Sequence, residues 1–457
     1  MIEKDAWVVK VKGDLQRIDT IQTAEMQHWD KLSIYRVPKS IRDLNKKAYN
    51  PQYVSFGPYH HGEEHLKPME EHKHRALLHF LKRSNKPLES YFKSLAEVVQ
   101  SLKDSYESLD LVWENNTDGF LQMMIVDGCF MIEVLRYFTE KVTGYADNDP
   151  IFSAHGQIHV VPYIRRDMLM LENQLPMLLL NTILDEETKQ DEEFVNTLIL
   201  KFWGHNTQFS PISHMGKSWH LLDVYRKMLA GKESRDSDSS TLSLRRFLRT
   251  TFMDHEASRM DHEASTADEI IRSASDIKDA GVNFKRSKTQ SLNDISFNGQ
   301  VLRLPPILVN DTTESMFLNL IAFERFHVAV ENMVTSYVFF MDGLIDTAED
   351  VRLLHEKGII QNAIGSDKAA AKLFNSIAKD TTIDPVSSLH DVYKSVDKYC
   401  KNSCNEWRAY AKHNYFRSPW TLIAVIAAVV LFMLTILQTV YSIVTYHHPP
   451  GPGPPNH

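Results

Sequence analysis

"GFLQMMIVDGCFMIEVLRYFTEKV", residues 119–142, carries apolar side chains at mixed spacings of three and four, the period of an α-helix rather than the alternation of a strand. The stretch is so rich in Met, Ile, Phe and Leu that most of its circumference must be covered, so it reads as a core helix, not a cofactor box. Upstream, "LAEVVQSLKDSYESL" (95–109) repeats the same period. Downstream, "RRDMLMLENQLPMLLLNTIL" (165–184) is denser still, with Glu172, Asn173 and Gln174 set among Met and Leu and with Pro176 forcing a break or kink. Buried polar groups need partners, so the trio is expected to satisfy backbone groups that the proline frees. A binding role for Glu172 is the alternative.

Helical periods return in "TESMFLNLIAFERFH", in "ENMVTSYVFFMDGLIDTAEDVRLLHEKGII", which Gly358 ends, in "AAKLFNSIAK", and in a last helix from about Pro385 to Tyr415. Between them lie "GVNFKRS", "LNDISF" and "QVLRLPPILV", short extended runs whose last two are joined by Asn298-Gly299, a two-residue hairpin signal. Pro305 and Pro306 confine the third run to an edge or cut it short. The fold class is therefore mainly α, a large helical domain with a small antiparallel β-hairpin or sheet.

Residues 54–83, "VSFGPYHHGEEHLKPMEEHKHRALLHFLKR", contain "HGEEH", which fits the H-x-x-E-H pattern of an inverted zinc peptidase. That pattern works only on a helix, where two His four apart present their nitrogens to one metal. Here Gly57, Pro58 and Gly62 punctuate the residues around His60 and His61, and Pro68 suits the first turn of a helix that starts just there. His61 and His65 are thus expected in a loop docked by aromatic and His side chains, with no metal and no cofactor. From Pro68 on, Glu70 and Glu71 in the first turn, the stripe Met69, Ala76, Leu77, Phe80, Leu81, and Lys82 and Arg83 at the end describe one amphipathic helix.

The chain of 457 residues has 59 acidic and 51 basic side chains, a formal charge of −8, which supplies no clustered basic surface for nucleic acid. Cys129, Cys400 and Cys404 cannot build a disulfide framework or a four-ligand zinc site by themselves, in keeping with a reducing compartment. Cys400 and Cys404 lie four apart, shortly before an apolar segment, where reversible acylation is one chemistry open to them.

That segment, "TLIAVIAAVVLFMLTILQTVYSIV" from Thr421 to Val444, has no charge, proline or glycine and is long enough to cross a bilayer core. Trp420, Tyr441 and Tyr446 stand at its ends as interfacial aromatics. Arg408, Lys412 and Arg417 precede it, whereas the tail "HHPPGPGPPNH" has no Lys or Arg, so the positive-inside rule places the body in the cytosol. The opening residues offer no signal-peptide apolar region, and the expectation is a tail-anchored, single-pass membrane protein. Two glycosylation sequons, at Asn115 and Asn310, speak for the opposite topology.

The divisions expected are an N-terminal extension (1–29), a helical domain (30–417), a transmembrane helix (418–446) and a Pro/Gly-rich tail (447–457). Within the domain, residues 231–275 read as a flexible insertion, Ser-, Asp- and Arg-rich and ending in the tandem "MDHEASR" and "MDHEAST". His255 and His262, seven apart, would sit roughly 10 Å apart on a helix, too far to share a metal.

Together "IYRVPKSIRDLNKKAYNPQYVSFGPYHHG", "KPMEEHKHRALLHFL", "MMIVDGCFMIEVL", "DMLMLENQLP", "HLLDVYR", "IRSASDIKDAGVNFK", "TESMFLNLIAFE", "TSYVFFMDGLIDTAEDVRLLHEKGII" and "SPWTLIAVIAAVVLFMLTILQTVYSI" resemble the plant family called domain of unknown function 247. The resemblance runs from about residue 30 to residue 446. It makes Gly57, Pro58, Tyr59, His60, His61 and Gly62, with Glu172, Asn173, Gln174 and Pro176, a family signature, and the peptidase pattern incidental. It implies single-pass membrane proteins with a helical body and no established enzymatic activity. Some grass members serve as pollen-side self-incompatibility determinants that act in pairs, which implies a paralogue among the partners. The duplicated "MDHEAS" and "IRSAS", where the family more often shows a "PSA" start, depart from its pattern.

The resulting expectation is a recognition or signalling-adaptor protein that works by protein–protein interaction at a membrane, with residues 231–275 as the specificity element and no small-molecule substrate. One alternative is a hydrolytic or metal-dependent enzyme using His60, His61, His65 or Glu64. Another is a structural membrane protein, whose spanning helix carries the small residues Ala424, Ala427 and Ala428 and could pack through Ala424 and Ala428.

Overall fold

A computed structural model of the chain describes residues 29–140, 142–188, 192–204, 215–231, 272–379, 388–415 and 419–447, with isolated positions before residue 29. The longer helices are α1 Pro68–Ser84, α2 Leu88–Asp104, α3 Thr117–Thr139, α4 Val161–Met168, α5 Met177–Thr188, α6 Glu192–Gly204, α7 Leu221–Ala230, α8 Thr313–Phe326, α9 Met333–Leu344, α10 Ala348–Glu356, α11 Asp367–Ile377, α12 Ser388–Cys400, α13 Ser403–Tyr415 and α14 Pro419–His447.

The Met- and Phe-rich residues from Gly119 to Thr139 form most of α3. Asn116 caps it by accepting a hydrogen bond from the Gly119 N–H, and its side chains from Phe120 to Arg136 are almost all buried. Helices α1, α2, α5 and α6 pack around it, as a helix apolar on every side requires. Its polar interruptions are answered by those neighbours. Asp127 pairs with Lys73 and Glu133 with Arg83, both from α1, and Arg136 pairs with Glu187 of α5 at 2.8 Å. These pairs tie α1 and α5 to α3 at defined positions along it. Gly128 lets α5 close in, since a Cβ there would meet the Ile183 Cδ1 at 2.6 Å.

Pro68 stands in the first turn of α1, as expected, and Asn85 in the left-handed conformation ends it, its N–H bonded to the Leu81 carbonyl. A second group gathers on α8, which packs against α9, α11 and the short helix Lys46–Tyr49. Contacts of α7 with α9, and of the turn Leu171–Asn173 with α8, join the two groups around one continuous core.

The Asn298-Gly299 hairpin forms: β2 Ser296–Asn298 pairs antiparallel with β3 Val301–Leu304. Its sheet is mixed, because β1 Asn283–Arg286 lies parallel to β3 on the other side. The reason is the link of residues 287–295, which carries the chain from β1 to β2 on the far side of β3, so that the hairpin returns β3 between them and parallel to β1. Pro305 and Pro306 cut the third run as expected. Beyond them β4 Ile307–Val309 leaves that sheet and pairs parallel with β5 Ile360–Asn362, a strand that follows the helix end at Gly358 and that the sequence pattern does not announce.

The last helix expected from Pro385 to Tyr415 is two helices. Lys401 and Asn402 separate α12 from α13, and the Asn402 side chain accepts from the Cys404 N–H as a new cap. Cys400 is consequently buried at the end of α12 and Cys404 exposed at the start of α13. Of the expected insertion, residues 232–271, including the "MDHEAS" repeat, lie outside the described residues, while its last two residues open the helix Ala274–Asp279, which Ser273 caps.

Among the described residues α14 is the one helix long and apolar enough to cross a membrane. Its stretch Ile423–Val444 is 22 residues with a mean hydropathy of 2.6, and none of it is buried against the body.

Candidate functional site

The two parts of the expected signature meet. Residues 54–62 run along the turn Leu171–Asn173, and the three polar side chains there reach three different segments. Glu172 accepts from the Val37 N–H at 2.6 Å and from the Arg42 guanidinium at 2.6 Å, and its second oxygen lies 3.5 Å from the His60 Nε2. Asn173 accepts from the Phe56 N–H at 2.7 Å and donates to the Val54 carbonyl at 3.0 Å, standing in for a neighbouring strand. Gln174 donates to the Met168 and Met170 carbonyls and accepts from the Leu222 N–H at the start of α7. The trio does not serve backbone freed by Pro176: Gln174 satisfies carbonyls at the end of α4, well before the proline. Glu172 and Asn173 instead hold backbone more than a hundred residues away.

Gly57 sits at the centre with φ +75°. Its N–H donates to Asp127 at 2.9 Å, and Asp127 also holds the Lys73 ammonium at 2.7 Å. Lys73 is fully buried, and its remaining donors meet Glu70 at 2.6 Å and Ser55 at 3.1 Å. Burial raises the Asp127 carboxyl against the pull of Lys73. Asp167 is the fourth anchor: one oxygen accepts from the Gln52, Tyr53 and Val54 N–H groups, and burial outweighs those bonds to push its carboxyl up to about 6.

The histidines do not converge. His60 is buried, with Nδ1 2.7 Å from Glu63. His61 turns its ring edge to Trp113, centroids 5.4 Å apart. His65, in the turn Glu64–Leu66, uses its Nε2 on the Pro51 carbonyl at 3.0 Å, which requires that nitrogen to carry the proton. Glu64 points to solvent and pairs with Lys67. The Tyr59 hydroxyl stands between the Ile34 and Glu107 carbonyls, which share its one proton, while Arg36 covers its ring at 4.2 Å. Pro58 is buried and Gly62 exposed at φ +83°. Among the described residues no three His, Cys, Asp or Glu side chains stand where they could hold one metal ion. The arrangement is a fastening that ties residues 33–62 to the helical core.

Sequence reasoning missed Lys73, Asp127, Asp167 and His220. A signal existed for two of them: Lys73 falls on the apolar stripe of Met69, Ala76, Leu77 and Phe80, and Asp127 interrupts "MMIVDGCF". A charge on a buried face needs a partner.

His220 extends the fastening to α7. It caps the helix by accepting the Asp223 N–H on Nδ1 and contacts the Ser33 carbonyl through Nε2 at 3.1 Å, a pattern that only the neutral ring satisfies. Burial lowers its pKa to about 4, and that of the neighbouring His327 also to about 4. The unfolded chain binds protons at these rings below about pH 6.5 while the native one does not, so their contribution is complete above that pH and is lost as pH falls towards 4. In His220→Asn, whose side chain can still cap, the stability penalty relative to wild type is expected to shrink by roughly 3 kcal/mol between pH 7 and 4. Denaturation midpoints across that range test this; a penalty independent of pH would refute it.

The sequence profile of domain of unknown function 247, described as a plant protein of unknown function, matches residues 34–434. The UPF0481 protein At3g47200 of Arabidopsis thaliana is 31% identical over 430 residues, covering 90% of this chain and 86% of its own. A second Arabidopsis thaliana UPF0481 relative, At3g02645, is 24% identical over 517 residues, covering 95% of this chain and 94% of its own. No solved structure matches the chain.

Proposed function

The chain belongs to the plant family domain of unknown function 247, and from that premise we propose that it is a membrane-anchored recognition protein that acts by binding other proteins rather than by catalysis. The observation that carries this reading is the use of the signature. Its acids, amides and histidines are engaged with backbone, ion-pair and ring partners inside the fold, while an apolar helix of spanning length follows the body. A rigid body whose polar residues are spent on its own architecture offers its surface and loops for recognition.

In this reading α14 anchors the chain, the body lies on the cytosolic side, and residues 231–275 carry partner specificity. The partners are proteins, a paralogue of the same family among them. The narrowest form, a pollen-side determinant of self-incompatibility, rests on the family resemblance alone.

Protease protection of the full chain in sealed vesicles, with glycosidase treatment read on the same gel, tests the anchor and the side. The expected result is a cleaved, sugar-free body and an α14 fragment that resists alkaline extraction. A protected, glycosylated body would reverse the topology. Deleting residues 232–271, which leaves the Ser273 cap and the helix Ala274–Asp279 in place, is expected to abolish capture of the partner that the full chain retains, and unchanged capture would refute their role.

A further inference from the structure

The helix α13, immediately before α14, presents two unlike faces. Asn405 and Ala409, one turn apart, turn towards the body: the Asn405 side chain donates to the Tyr399 carbonyl at 2.9 Å, and Ala409 packs on the core. The short helix Ala274–Asp279 backs this face, and the Arg408 guanidinium lies against Gly281, where a Cβ would meet it at 2.7 Å. On the opposite side stand Trp407 and Tyr410, 73% and 57% exposed, with ring centroids 6.4 Å apart. A spacing of three puts them on one face of the helix.

The geometry points to a membrane-surface role for this face: Trp407 and Tyr410 lie in the headgroup layer of the bilayer that α14 enters and set how the body stands on it. The inference rests on the anchoring proposed above. Chain continuity supports it. At about 1.5 Å per helical residue and at most about 3.6 Å per linking residue, Trp407 is within roughly 26 Å of Pro419, where α14 begins. Composition supports it as well. Trp and Tyr combine an apolar ring with a polar edge and favour the interface, and Lys412 and Arg417 on the same connection suit anionic headgroups. Among the described residues the contacts with the body fall on the other face, and Trp407 and Tyr410 keep most of their ring surface exposed where an apolar surface would accept it.

Cys404 permits the test in the native chain, because it is exposed while Cys129 and Cys400 are buried. A nitroxide on Cys404 of the full-length protein, reconstituted in phosphatidylcholine–phosphatidylserine vesicles, reports its surroundings through collision with oxygen and with a water-soluble nickel chelate. The oxygen-to-nickel accessibility ratio is expected to be several-fold above that of a label placed by L111C in a C404S chain, an exposed position on the body. In W407A/Y410A the ratio is expected to fall to that reference. Resistance of α14 to alkaline extraction is measured on the same samples. A chain that extracts refutes the anchoring itself. A chain that resists extraction while Cys404 reads as aqueous refutes the surface role alone. Spin–spin broadening that survives dilution in lipid would show a second copy covering the face, and would overturn the inference too.

Discussion

Lys73→Met is expected to lower the unfolding free energy of the body by about 3–5 kcal/mol, the cost of breaking a buried ion pair from one side. Met keeps most of the length of the lysine stem, so little of the loss comes from a cavity. What disappears is the cation that Asp127, Glu70 and Ser55 share, leaving Asp127 with the Gly57 N–H as its remaining donor. Two further results follow from that cause. The double variant K73M/D127N should recover most of the loss, because Asn still accepts from Gly57 and carries no charge. The penalty of K73M alone should also shrink towards acid pH, where protonation neutralises the stranded carboxyl whose pKa burial already raises. Pulse proteolysis of the detergent-solubilised chain across a urea series measures all three. A midpoint for K73M equal to wild type would show that the ammonium contributes nothing net.

Gly57→Ala is the second large effect, expected at about 3 kcal/mol. A positive φ costs an L-residue roughly 1–2 kcal/mol, and overpacking adds about as much again. The geometry forbids easy relief: the added Cβ would lie 2.8 Å from the Tyr106 hydroxyl and 3.0 Å from the Gln174 carbonyl, which is backbone. That hydroxyl itself donates to the Gln174 carbonyl, so moving either loosens the turn that carries Glu172 and Asn173. Gly62→Ala is the control. Its φ is +83°, yet nothing stands within 4 Å of its Cβ, so only the conformational cost of about 1 kcal/mol applies. Equal urea midpoints for the two variants would mean that close packing at Gly57 is unimportant.

The helices were legible because their cause is local. The apolar period of α3, Pro68 at the start of α1, the Asn298-Gly299 turn and the uncharged run within α14 each act over a few residues. The break at Lys401 and Asn402 was missed because a capping side chain inside an amphipathic run competes with helix continuation by a small margin. Nothing in the sequence joined β1 to β3, since parallel pairing is set by the course of the intervening chain.

By itself the sequence determined a mainly helical body, one apolar helix of spanning length, and the histidine-rich stretch as a loop rather than a zinc helix. The tertiary structure alone decided what the signature is for. Glu172 meets Val37 across 135 residues, Asn173 meets Phe56 across 117, and Lys73 meets Asp127 across 54. Periodicity and propensity report only on near neighbours, whereas a buried polar group takes whichever partner the packed core brings within about 3 Å.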